Sequence, residues 1–338
     1  MAAGAQILAP VPETATTKEM TMRADVMSQF DDQGAAARLW LWLFLCLVPA
    51  GLAQAAPGDS LQDCDDCPEM IELPTGKAML GVEPYEANAK PTDGALRTVR
   101  FRQRIAMGRT ETSRAQFRRF VDATGYTPVQ NGCNTWSSHR ILGYVLAHSW
   151  HDPGYPQSEQ HPVVCVSYVD ATAYARWLSE LTGQRYRLPS SSEFEYATRA
   201  GTRGPWFWGA SSKQACEFAN VADATFRKHF EMAPVFHCDD GYLHTAPVGS
   251  FSPNPWGLSD MLGNAWEWTE DCLHHDMSNA PLDGSAWLEA DGGECDRRTP
   301  RGGSWVSGTD WVRAGAQAGD RAVYHSQLLG FRLVRELD

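Results

Sequence analysis

The stretch from Pro253 to Asp271, PNPWGLSDMLGNAWEWTED, constrains the fold of this chain more than any other. Three tryptophans (Trp256, Trp266, Trp268), four carboxylates (Asp260, Glu267, Glu270, Asp271) and two glycines share its nineteen residues. Apolar and acidic residues follow neither a helical nor a strand period between its turn signals. The indole rings need burial, whereas the carboxylates must be solvated, paired or bound to a cation. A loop pinned by its rings and folded around a hard metal ion meets both demands. Asp260, Glu267 and the carbonyls freed around Gly263 are the mixture of carboxylate and backbone oxygen that calcium accepts. The plainer alternative makes Trp266 and Trp268 ordinary core and leaves the acids in water.

The 338 residues are 21% charged and 43% hydrophobic, which fits one large globular domain or two small ones. Thirteen tryptophans, 29 glycines and 20 prolines point to a loop-rich fold with an aromatic core. A formal charge of -12, with no basic run to offset it, argues against nucleic acid or an anionic membrane surface as a partner. Residues 1–38 lack apolar periodicity and read as a disordered extension, with Met27 as an alternative start. Residues 39–55 hold a short apolar run, LWLWLFLCLVPAGL, after Arg38 and before Ala53-Gln54-Ala55. That is the pattern of a secretory signal cut after Ala55. The run is too short for a comfortable span, so no stable membrane span is expected after cleavage; an uncleaved anchor is the alternative. Cys46 lacks the small preceding residue of a lipoprotein signal.

Export, to the periplasm or beyond, implies an oxidising compartment. Eight cysteines remain without Cys46, and sequential pairing is expected: Cys64–Cys67, Cys133–Cys165, Cys216–Cys238 and Cys272–Cys295. The sequence itself leaves connectivity open. Cys64-x-x-Cys67 could be half a zinc site, but no second pair stands at ligand spacing.

Along the chain, Pro68–Pro74 reads as a short strand and Val99–Met107 as another. Ser113 with Gln116 is a capping box that opens a helix through Phe117, Phe120 and Val121 to Gly125. Asn131–Pro156 reads as a long loop bearing Trp136, Trp150 and His151, and Pro162–Ser167 as a buried strand. A second helix follows from Asp170 to Leu181, with Tyr174, Trp177 and Leu178 on one face. Ser190 with Glu193 caps a third, ending at Gly201; only turns and very short strands are expected beyond. Three short helices and little regular sheet predict a single irregular α+β domain over residues 56–338.

Several stretches in register resemble one family: CPEMIELPTG (67–76), Glu111-Thr112-Ser113, His161-Pro162-Val163-Val164, RLPSSSEFEYATRAG (187–201), APVGSFSPNPWGLSDMLGNAWEWTED (246–271), Arg301-Gly302-Gly303-Ser304-Trp305 and Gly330-Phe331-Arg332. Together they resemble the sulfatase-modifying-factor family, typified by the formylglycine-generating enzyme. The resemblance implies a mixed, C-type-lectin-like α+β fold with two structural calcium sites. One would use Asn220, the Val221 carbonyl, Asp240 and the Tyr242 carbonyl. The other would use Asp260, the Gly263 and Ala265 carbonyls, and Glu267.

The family's catalytic pair is two cysteines five residues apart that bind copper(I), a soft ion suited to thiolates. Ser307 and Val312 stand at those positions, and no cysteine follows Cys295, so copper is not expected. The His-x3-His-x-Glu iron segment of the family's sulfoxide synthases is also missing from the sequence. The resemblance leaves two expectations. One is an exported enzyme with different chemistry in the same groove, like the family member that acts on a siderophore chromophore in pyoverdine maturation. Ser304, Trp305, Ser307, Arg313 and Arg332 are its candidate groove residues, with a peptide-derived substrate. The favoured reading of Arg332 pairs it with a buried acid, and no serine has a visible His and Asp partner. The other expectation is a non-catalytic scaffold presenting Trp136, Trp150 and His151 to an envelope protein, peptide or glycan.

Overall fold

The computed structural model describes residues 58–129, 131–136, 142–230 and 235–337. The expected extension and signal segment, with Met27 and Cys46, lie outside them. The three expected helices form. Helix α1 (Arg114–Thr124) starts at Ser113, whose hydroxyl accepts from the Gln116 amide while the Gln116 side chain accepts from the Ser113 amide. Such a cap contributes about 1 kcal/mol. Gly125, at φ +67°, ends the helix. Helix α2 (Tyr168–Thr182) begins two residues before the expected start, because Ser167 and Asp170 form a capping box of their own. Helix α3 (Ser191–Arg199) is capped by Ser190 and Glu193.

Two helices contradict the expectation of only turns and very short strands after Gly201: α4 (Ala215–Phe218) and α5 (Ala224–Phe230). Asp223 caps α5 by accepting from the Phe226 amide at 2.9 Å. Phe226 and Phe230, one turn apart, pack on Trp305 with centroids about 6 Å away. Seven residues are too few for helical period to stand out, and tertiary burial holds this helix.

A five-stranded antiparallel sheet runs in the order Ser60–Leu61, Met70–Glu72, Ile105–Gly108, Val334–Glu336, Tyr186–Arg187. The expected strand Val99–Met107 is two strands in different sheets. Arg97–Phe101 pairs with Gly76–Leu80, and the chain turns at residues 102–104 before Ile105–Gly108 joins the larger sheet. Pro162–Ser167 is buried but is not a strand. Cys165 sits at φ +59°, and the Val163 and Cys165 amides bond to Thr112 and Ser326 carbonyls on separate segments. The loop expected over Asn131–Pro156 contains a hairpin, Cys133–Trp136 with Leu142–Val145.

The main core joins α1 and α2 to the signature stretch. Phe117, Phe120, Tyr174 and Leu178 meet Trp268 and Phe331, and the Trp268 indole donates to the Val166 carbonyl at 3.1 Å. Burying an aromatic side chain of this kind contributes roughly 2–3 kcal/mol. Disulfides join the four expected pairs. Among the described residues no helix is long and apolar enough to cross a membrane.

Candidate functional site

Between Asp260 and Glu267 the backbone enters the left-handed region three times, at Asp260 (φ +57°), Gly263 (φ +81°) and Asn264 (φ +55°). A β-carbon on Gly263 would lie 2.2 Å from the Asn220 carbonyl oxygen, so glycine is required there by conformation and by space. The same carbonyl accepts from the Asn264 amide at 2.8 Å, and the Asn220 side chain donates to Asn264 Oδ1 at 3.1 Å. The two oxygen clusters read from the sequence therefore abut, joined through Asn220 and Asn264.

The cluster at Asp260 is a knot of buried charge. Arg332 grips Glu267 with two bonds, Nε to Oε2 and Nη2 to Oε1, each 2.7 Å. Its guanidinium also donates to the carbonyls of Gly108, Ser259 and Asp260. Glu111, which the sequence reading did not single out, completes the knot by accepting from Asn264 Nδ2 at 2.9 Å and from the Ala265 amide at 3.1 Å. Three buried carboxylates thus face one guanidinium. Burial, then the charges of Asp260 and Glu267, pushes the Glu111 carboxyl well above its usual range. Burial raises Asp260 to about 6 and raises Glu267 against the pull of Arg332. Asp260 Oδ2 accepts from the Gly249 amide at 2.6 Å, while Oδ1 is buried without a partner.

The second cluster repeats the pattern. Asn220 Oδ1 is buried and unpartnered. Asp240 accepts from the Val221 and Tyr242 amides, each at 2.9 Å, and burial raises its carboxyl to about 7. Asp223, also unread from the sequence, accepts from the Asp240 amide at 2.7 Å and lies beside the Cys216–Cys238 disulfide. A buried oxygen with no donor is costly, and a hard cation supplies what both lack. The donor chemistry of the two clusters fits a divalent ion bound by oxygen.

Positions 307 and 312 meet at the turn after Arg301. A β-carbon on Gly303 would lie 3.1 Å from Val312 Cγ2 and 3.4 Å from Ser307 Cβ, so both side chains converge there. All five candidate groove residues are buried. Ser307 Oγ accepts from the Ser304 amide at 3.0 Å and lies 3.3 Å from Ser304 Oγ. Trp305 packs against Tyr155, His244, Phe226 and Phe230. Arg313 is paired with Glu86 at 2.7 Å and Asp93 at 2.6 Å, pinning residues 86–93. Arg332 belongs to the knot just described. Val312 sits in an apolar cluster with Trp206, Phe207, Phe236 and Leu262.

One titratable group near this turn had no sequence signal. Lys90 lies with its Nζ over the Trp311 ring, buried and without a hydrogen-bond partner. Burial lowers its ammonium to about 8, against the pull of Asp310 and Asp93. Of the aromatic loop residues, Trp150 is core against Phe117 and Arg118, Trp136 is half-buried, and His151 is exposed.

Known proteins resemble this chain in sequence and in fold. The sulfatase-modifying factor enzyme 1-like domain matches residues 56–337. The formylglycine-generating enzyme of Mycobacterium tuberculosis is 32% identical over 245 residues, covering 61% of this chain and 76% of that protein. Hercynine oxygenase of Mycolicibacterium thermoresistibile is 26% identical over 277 residues, covering 77% of this chain and 56% of that protein. The solved structure of PvdO from Pseudomonas aeruginosa superposes with a TM-score of 0.72 at 34% identity, covering 84% of this chain and all of that one.

Proposed function

This chain belongs to the sulfatase-modifying-factor family, and from that premise we propose that it is an exported enzyme modifying or oxidising a peptide-derived substrate without copper–thiolate chemistry. The observation that carries the proposal is the turn at Gly303, where Ser307 and Val312 converge in place of two thiols. A hydroxyl already bonded to Ser304 and an isopropyl group cannot hold a cuprous ion. The family's chemistry is wider than formylglycine formation, since it includes relatives such as hercynine oxygenase and PvdO. Burial lowers the Lys90 ammonium to about 8, which makes it a group in this region suited to moving a proton.

Two calcium ions are part of the proposal. Asn220, Asp240 and the carbonyls of Val221 and Tyr242 would hold one; Asp260, Glu267 and the carbonyls of Gly263 and Ala265 would hold the other. Their support is the pair of unpartnered buried oxygens on Asn220 and Asp260. Calcium there supplies charge compensation and rigidity rather than catalysis. Around it this chain's own residues do the positioning: Arg332 orients Glu267, and Glu111 holds the Asn264 side chain and the Ala265 amide.

The test is product analysis by mass spectrometry. Purified protein is incubated in air with a cysteine peptide of the sulfatase type and with a panel of chromophore-bearing and linear peptides. A mass change in the panel without formylglycine on the cysteine peptide is the expected result. Formylglycine formation that requires copper would overturn the proposal. No turnover on any peptide would favour the scaffold reading, which the burial of Ser304, Trp305 and Ser307 also supports.

A further inference from the structure

The Cys64–Cys67 disulfide differs from the other three in its surroundings. It closes a turn of four residues, CDDC, while the others span separations of 22 to 32. So short a loop removes the least freedom from the unfolded chain, and this bond stabilises the fold least. The hairpin around it persists by other means. Ser60–Leu61 pairs with Met70–Glu72, and Gln62 Nε2 donates to the carbonyls of Asp65 and Cys67. Cys67 is buried, whereas Cys64 is partly exposed.

The Cys64 sulfur has a cationic neighbour. Arg119 of α1 places Nη1 3.4 Å from Cys64 Sγ, and its guanidinium lies over the Trp177 ring at 5.9 Å. Asp66 is 3.9 Å from the same guanidinium but is 79% exposed, so water screens it. Between the turn and α1 opens a cleft of about 810 Å³, lined by Cys67, Gln62, Arg118 and Arg119 and, from a third segment, Glu159; Cys64 is not in its lining and adjoins it through Arg119. An arginine beside the sulfur of a partly exposed cysteine, at the first position of a C-x-x-C turn, favours the thiolate and so the reduced form.

We propose that Cys64 and Cys67 form a redox-active pair that exchanges disulfides with dithiol peptides or protein segments entering this cleft. A thiolate of the incoming dithiol attacks Cys64 Sγ, the Cys64–Cys67 bond breaks, and Cys67 leaves as a thiolate. The second thiolate of the partner then attacks the partner sulfur of the mixed disulfide and releases Cys64 as a thiolate beside Arg119. The partner is oxidised by two electrons, Cys64 and Cys67 are reduced, and the two protons of the partner pass to solvent or to the new thiols. The reverse sequence, with a partner disulfide, restores the pair. This inference is independent of the chemistry proposed at Gly303.

The full chain is equilibrated in graded mixtures of reduced and oxidised glutathione, alkylated and mapped by mass spectrometry, with near-ultraviolet dichroism followed in parallel. Cys64–Cys67 is expected to open first, with the dichroism unchanged. In the opened protein Cys64 is expected to titrate below the ordinary thiol value. Arg119→Ala is expected to raise that value by about one unit, which cuts the thiolate about tenfold, raises its nucleophilicity about threefold, and so slows alkylation below both values by roughly threefold. Arg119→Lys should restore most of the rate. Cys67→Ser, incubated with an oxidised two-cysteine peptide, should trap a mixed disulfide at Cys64. Opening of Cys64–Cys67 only together with loss of the dichroism, or a Cys64 thiol that titrates at the ordinary value or above, would overturn the inference.

Discussion

Replacing Arg332 by methionine keeps much of the side-chain volume and removes the guanidinium from a site where Glu111, Asp260 and Glu267 all face inward. The structure fixes what is lost: two 2.7 Å bonds to Glu267 and donors to the carbonyls of Gly108, Ser259 and Asp260. All four ionisable side chains are buried, so solvent screening cannot soften the change. Breaking one partner of a buried pair costs about 3–5 kcal/mol, because the remaining charge stays desolvated. For a domain of this size that corresponds to a fall in Tm of about 10 °C. The assay is urea denaturation of wild type and variant in chelator and in saturating calcium. The loss should be full in chelator and partly recovered in calcium, since a second cation would face the same acids. Adding Glu267→Gln to the variant removes the stranded charge and should recover stability in chelator. A loss under about 1 kcal/mol, or a double variant no better than the single one, would refute the account of the knot.

Gly263→Ala forces a β-carbon to within 2.2 Å of the Asn220 carbonyl at φ +81°, and should cost more than about 2 kcal/mol by the same denaturation assay. Glu270 gives a pH test outside both oxygen clusters. Burial raises its carboxyl to about 7, so the stability it contributes is present below the ordinary value of 4.5 and is lost as pH rises toward 7. Glu270→Gln should therefore match wild type at pH 4 and exceed it above pH 7, by on the order of 2 kcal/mol; equal stability across that range would contradict the shift. Installing both thiols, Ser307→Cys with Val312→Cys, should confer binding of one cuprous ion per chain, read by competition with a chromophoric chelator. No gain would mean that the two positions do not share a site.

Much of this architecture was legible before any coordinates. The capping boxes at Ser113 and Ser190, and the glycines that end α1 and α2, are local signals that the backbone obeys. The sequential cysteine pairs form as expected, and the resemblance located the turn that brings residues 307 and 312 together. What escaped depends on tertiary contact. Cys165 is held at positive φ within the Cys133–Cys165 link, so an apolar run with strand composition does not form a strand. Residues 102–104 carry the chain from one sheet to another, and alternation on either side cannot reveal a change of partner. Asp223 and Glu111 look like a solvated acid and a helix-start residue until the loops they support close around them. Lys90 acquires its character from Trp311, more than 200 positions away.

Elemental analysis of the purified protein, with thermal melting before and after chelation, decides between calcium and copper in this fold. Two calcium ions per chain are expected, with copper below stoichiometry and a melting temperature that falls when chelator removes the calcium. One tightly bound copper per chain, or a calcium-free protein whose melting is indifferent to chelator, would contradict that expectation.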